Sequence, residues 1–180
     1  MIRLFVALEL PAAVRTRLAL MAGGVPGARW QREDQMHLTL RFVGEVDERR
    51  GHDIDDALAT VRAPAFTLEL AGAGDFGGRE PHALWAGVRS NSALIHLEKK
   101  VESALVRVGV DPETRKYTPH VTLARLRNAP REKVAEFIAH HSLYTSGPIA
   151  VDRFALFSSH LGSGGSVYRV ERTYELQPSP

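Results

Sequence analysis

His37-Leu38-Thr39-Leu40-Arg41-Phe42-Val43 alternates apolar and polar residues closely enough to read as a strand, and the pattern returns as His120-Val121-Thr122-Leu123-Ala124. Residues two apart in a strand share a face, so Leu38, Leu40 and Phe42 are expected on a core and His37, Thr39 and Arg41 on the other side. Each copy therefore offers an imidazole and a hydroxyl together. A single His-x-Thr says little, because Thr suits any strand. The significance of the pair depends on whether the copies occupy corresponding places in a larger repeat.

Working outward from the first copy, residues 4–8 read as a buried strand, and Pro11 opens a helix with Val14, Leu18 and Met21 on one face, closed by Gly23-Gly24. Beyond the first copy, Asp47 caps a helix carrying Ile54, Leu58 and Val61, and Phe66-Thr67-Leu68-Glu69-Leu70 alternates as a strand. The glycine-rich residues 71–81 read as a loop or an irregular extension of that strand. The second half repeats the order. Residues 84–88 form a strand, and a helix with Leu94, Leu97, Val101, Ala104, Leu105 and Val108 on one side is stopped by Gly109. After a polar loop comes the His120 strand, then a helix from Pro130 carrying Val134, Phe137 and Ile138, then a strand over residues 149–157. Gly162-Ser163-Gly164-Gly165 turns a closing hairpin.

Both halves thus run strand, helix, loop, His-containing strand, helix, strand. The expected architecture is α+β: one domain, residues 1–180, with an internal repeat of about 1–80 and 81–180. Two similar lobes, each an antiparallel sheet with helices on its outer face, would be related by a pseudo-twofold axis about a central cleft.

Composition narrows the function. At 180 residues, 44% hydrophobic and 24% charged, the chain is an ordinary globular protein. The net charge is only +2 although the pI is about 9.1, so attraction to nucleic acid must come from a local patch. With no cysteine there is no disulfide, thiolate nucleophile or Cys-ligated zinc. The first apolar run is too short for a signal peptide and no stretch is long enough for a membrane helix, which points to a cytoplasmic protein with no membrane partner.

Two His-x-Thr strands related by a twofold axis would set two imidazoles and two hydroxyls across one cleft. Phosphodiester cleavage needs a base on the attacking oxygen and an acid on the leaving oxygen, and histidine serves both near neutrality. The hydroxyls of Thr39 and Thr122 would donate to the non-bridging oxygens as charge builds there. No metal or other cofactor is called for.

The chain resembles the 2H phosphoesterase superfamily and, within it, the bacterial and archaeal RNA 2′,3′-cyclic phosphodiesterases long called 2′-5′ RNA ligases. The similarity spans nearly the whole chain, through Arg3-Leu4-Phe5-Val6-Ala7-Leu8, the His37 strand continuing to Gly44, Leu84-Trp85-Ala86-Gly87-Val88, and Tyr117-Thr118-Pro119-His120-Val121-Thr122-Leu123-Ala124-Arg125. The resemblance implies hydrolysis of an RNA 2′,3′-cyclic phosphate terminus to a 2′-phosphomonoester. It makes His37 the proton donor and His120 the proton acceptor, roles that the residues alone do not assign. With an RNA 5′-hydroxyl replacing water, the same machinery would form a 2′-5′ linkage.

Around the pair, Arg41 shares the His37 face by alternation, and Arg115, Lys116 and Tyr117 sit in the loop entering the second copy, where they could hold phosphates or stack a base. Arg125 has the opposite parity to His120 and ranks below Arg41 unless a bulge intervenes. Asp75-Phe76-Gly77 and Gly162-x-Gly164-Gly165 read as turns, and His140-His141 as a helix end. His52, His82, His96 and His160 have no partner motif. The alternatives are a 2H phosphoesterase acting on 2′-5′ oligonucleotides or small cyclic nucleotides, and a non-catalytic RNA-end binding module. A monomer is expected.

Overall fold

The computed structural model describes residues 1–179. The chain runs β1 (Ile2–Glu9), α1 (Ala12–Ala19), β2 (Ala28–Trp30), a 3-10 turn (Glu33–Gln35), β3 (His37–Val46), α2 (Glu48–Ala59) and β4 (Phe66–Phe76). It continues through β5 (Ala83–Val88), α3 (Ser92–Arg107), β6 (His120–Leu126), α4 (Arg131–His140), β7 (Thr145–Val151), β8 (Arg153–Gly162) and β9 (Gly165–Glu175).

The strands form two antiparallel sheets, ordered β3-β1-β8-β9 and β2-β6-β5-β4-β7, so the fold is α+β with two lobes, as the alternation implied. Each sheet draws on both halves of the sequence. β4, from the first half, pairs with β5, and β8, from the second, pairs with β1. A cut near residue 80 would therefore leave neither sheet intact.

Local chemistry sets the helix ends. The Asp47 carboxylate accepts from the Arg50 amide at 2.7 Å to cap α2, and the Asn91 side chain accepts from Leu94 at 2.9 Å to cap α3. Gly109, at φ +86°, takes the left-handed turn that ends α3. α1 stops earlier than Gly23-Gly24 suggested: Met21 and Ala22 donate to carbonyls three residues back, tightening the last turn before the glycines are reached.

The apolar run at 149–157 is two strands and not one. Val151 and Ile149 pair with Phe66 and Leu68 of β4, whereas residues from Arg153 onward pair with β9 and from Ala155 also with β1. The chain crosses between sheets at Asp152, whose carbonyl accepts from Leu176 at 2.8 Å. Ile149 and Val151 on one side and residues 154–157 on the other are buried, and the exposed Asp152-Arg153 pair marks the crossing. Residues 71–76 extend β4, and β2 with its 3-10 turn was not anticipated.

One continuous core joins the lobes. Leu4, Val6 and Leu8 of β1 and Leu38 and Leu40 of β3 meet Ile54 and Leu58 of α2, Leu94, Leu97 and Val101 of α3, and Leu84, Val121 and Leu123 of the second sheet. Truncating a side chain such as Leu97 to Ala would cost roughly 2–5 kcal/mol. The opposite face of β1 and β8 carries a separate small cluster, Phe5, Ala7, Ala155 and Phe157 with Tyr168 against it. No helix among the described residues is long and apolar enough to cross a membrane.

Candidate active site

β3 and β6 begin with their histidines and bend alike. Along β1, Ala7 faces Thr39 and Val6 faces Arg41; along β5, Trp85 faces Thr122 and Leu84 faces Ala124. One residue is skipped each time, Leu40 and Leu123. Such a bulge sets two residues against one and reverses the alternation beyond it.

The reversal corrects the expected placement of Arg41 and Phe42. Phe42 turns outward and is 55% exposed, while Arg41 is buried. The Arg41 guanidinium donates to the Glu102 carboxylate at 2.6 Å, to its neighbour's carbonyl at Phe42, and to the Asp111 carbonyl. Glu102 also accepts from the Glu113 amide at 2.7 Å. Arg41 thus anchors the 111–117 loop to α3 and β3, each of its three nitrogens donating one hydrogen bond. In β6 the equivalent reversal turns Ala124 inward and leaves Arg125 exposed on the side of His120.

Aromatic rings hold each imidazole. The His37 ring lies 4.7 Å from Phe5, 5.1 Å from Tyr168 edge-on and 5.9 Å from Phe157. The His120 ring meets Phe76 edge-on at 4.8 Å and Trp85 at 6.2 Å. Trp85 fits only because position 74 is glycine: a Cβ there would stand 2.3 Å from the indole. This collar escaped the sequence reading, yet Phe5 and Trp85 had the parity for it, each lying between core residues of its strand.

Burial pulls His37 down from 6.5 to about 4, aided by the positive charges of His120 and Arg125, while a hydrogen bond to the Gln35 backbone opposes the fall. Burial and Arg125 likewise lower His120, against a hydrogen bond to the Thr118 backbone. Both rings therefore lie within electrostatic reach of Arg125, and His37 within reach of His120. Nδ1 of His120 lies 2.6 Å from the Thr118 carbonyl. A proton on Nδ1 donates there and leaves the Nε2 lone pair free.

A cavity of about 430 Å³ opens between the sheets; Thr39, Arg41, Arg115, Tyr117 and His120 border it, with Lys116 beside them, whereas His37 and Thr122 do not line it. His82, Phe42 and Phe76 join them, none of which the sequence singled out for this place. The Tyr117 hydroxyl donates to the Thr39 carbonyl at 2.8 Å, so its ring forms wall while its polar end braces β3. Burial, with the nearby Glu98, pushes that phenol up. Arg115 is exposed and sits 3.6 Å from Glu113. Thr122 is half-buried on β6, two residues from His120 and on its side of the strand. Among the described residues no group of three or more His, Asp or Glu side chains is spaced to hold a metal ion.

A family model described as the 2′-5′ RNA ligase superfamily matches residues 9–163. The chain is 35% identical to the RNA 2′,3′-cyclic phosphodiesterase of Thermotoga maritima over 97% of this chain and 95% of that protein. Against the Escherichia coli RNA 2′,3′-cyclic phosphodiesterase the identity is 31%, over 97% and 96%. The crystal structure of E. coli LigT complexed with 3′-AMP superposes with a TM-score of 0.79 at 30% identity, covering 97% of this chain and 98% of that one.

Proposed function

The chain belongs to the 2′-5′ RNA ligase superfamily, and from that membership and the cleft we propose that it hydrolyses 2′,3′-cyclic phosphate termini of RNA to 2′-phosphomonoesters. The observation that supports the reading is that His37 and His120 open matching strands, are both desolvated, and lie close enough for His120 and Arg125 to lower His37, with His120 and Thr39 bordering one cavity.

In the reaction, Nε2 of His120 takes a proton from water as the water oxygen attacks phosphorus. The bond from phosphorus to the 3′-oxygen breaks on the opposite side, and His37 gives that oxygen its proton. The 2′-oxygen stays bonded to phosphorus. Thr39 and Thr122 donate to the non-bridging oxygens, and the charge of Arg125 favours an anion in the cleft. His37 poses a physical requirement, since a ring held near 4 in the free protein carries no proton at neutral pH. The phosphate supplies the compensation: an anion against the ring favours its charged form and lifts its pKa on binding. An RNA 5′-hydroxyl attacking in place of water, with the same P–O3′ bond breaking, would yield a 2′-5′ linkage. Both histidines come from one chain, so the proposed site needs no second subunit.

The test is an oligoribonucleotide ending in a 2′,3′-cyclic phosphate, incubated in EDTA, with the product identified. A 2′-phosphate is expected. A 3′-phosphate, or binding without conversion, would refute the reading, as would turnover surviving in His37→Ala or His120→Ala.

A further inference from the structure

β2 sets Arg29 directly opposite Arg125 of β6. Residues so paired in an antiparallel ladder project from the same face, with Cβ atoms about 4.5–5.5 Å apart. Ala28 and Trp30, on either side of Arg29, pack into the core, Trp30 against Phe137 of α4 at 5.4 Å. Arg29 therefore points the other way, onto the face that carries His120.

Two like charges in this position repel each other. Among the described residues neither has a carboxylate partner, whereas Arg32, three residues on, is paired with Asp34 at 3.0 Å. The β8–β9 hairpin closes the far side. Arg32 donates to the Gly164 carbonyl at 2.7 Å and Gln35 to the Ser166 carbonyl at 2.9 Å, and the Arg29 guanidinium lies so close to Gly165 that a Cβ there would sit 2.9 Å from it. The hairpin thus stands beside two guanidiniums that have no carboxylate partner among the described residues, a setting that favours one phosphate bridging both.

Its position relative to the histidines identifies that phosphate. The sheet order is β2-β6-β5-β4, and the cavity beside His120 is lined from β3, the end of β4 and the 113–120 loop, with neither Arg29 nor Arg125 in its lining. The arginine pair lies on the opposite side, toward β2. A terminal nucleoside in the cavity, with its cyclic phosphate at the histidines, leaves its 5′ linkage to run toward β2.

We infer that Arg29 and Arg125 together clamp the phosphodiester joining the terminal nucleotide to the rest of the RNA, so that the site recognises an RNA end and not a cyclic phosphate alone. Arg125 is shared with the reacting phosphate; Arg29 serves the upstream one. The inference rests on the cyclic phosphodiesterase reading above.

The experiment compares kcat/KM for a dinucleotide ending in a 2′,3′-cyclic phosphate with that for a nucleoside 2′,3′-cyclic phosphate, across a salt series. The dinucleotide should be preferred, with a log–log salt slope steeper by about 0.7 for the extra phosphate neutralised. Arg29→Gln should lower the dinucleotide-to-mononucleotide ratio by about tenfold or more and erase the extra slope. Arg29→Lys, which keeps the charge but not the fork, should retain most of the slope, which a purely structural role at the hairpin would not predict. An equal loss on both substrates in Arg29→Gln, or no change in the ratio, overturns the clamp. Wild-type turnover of both substrates with equal salt slopes sinks the clamp and spares the function; turnover of neither sinks both.

Discussion

Protonation of His37 should cost the protein stability in acid, by an amount that the buried site determines. The ring titrates at 6.5 when the chain is unfolded and at about 4 in the folded cleft. Between those values the unfolded state binds the extra proton and the folded state does not, so stability is present above 6.5 and is lost as the pH falls. At about 1.4 kcal/mol per pH unit, the loss attributable to this ring reaches about 3 kcal/mol by pH 4. That is a large part of the total for a small domain. The perturbation is His37→Gln, which removes the titration and keeps a polar side chain. Urea unfolding of wild type and variant from about pH 7.5 to about pH 4 gives the difference directly, since carboxylates and the other histidines titrate in both. The wild-type curve should fall more steeply below about pH 6.5, by about 3 kcal/mol in all. Parallel curves would show that the imidazole is freely solvated when folded, and the argument for a desolvated acid–base pair would go with it.

Four further outcomes follow from the same geometry. The pH dependence of kcat/KM should be bell-shaped with its optimum on the acid side of 6.5, because both imidazoles of the free protein are lowered and one must be protonated while the other is neutral; an optimum above about pH 7.5 would contradict this. The limb in kcat should lie further to the alkaline side, as bound phosphate raises His37. Arg41→Met should destabilise by about 3 kcal/mol in denaturant titrations, since it strands Glu102 with its charge partly buried, and adding Glu102→Gln should recover part of the loss; a cost below about 1 kcal/mol would mean that the pair anchors nothing. Arg125→Gln should leave stability nearly unchanged and cut kcat/KM by about tenfold to a hundredfold, and an unaltered rate in that variant would remove Arg125 from the site.

The two His-x-Thr strands, the helices, the Asp47 cap and the closing hairpin were legible in the linear order, because each rests on local rules: the two-residue period of a strand, the 3.6-residue period of a helix, the turn chemistry of Gly109. The aromatic collar was within reach of the same rules, since Phe5 and Trp85 stand at the parity opposite to their core neighbours. The exchange of Arg41 for Arg125 was not. It follows from bulges at Leu40 and Leu123, and a bulge is a mismatch between two strands that neither sequence contains alone. The crossing at Asp152 is of the same kind, decided by which sheet each side of it joins. The lowered pKa of His37 also belongs to the assembled fold, because the rings and charges around it come from β1, β6, β8 and β9. Sequence determined which groups could do the chemistry; strand pairing decided which of them face one another, because register is a relation between distant segments and burial is a property of their sum.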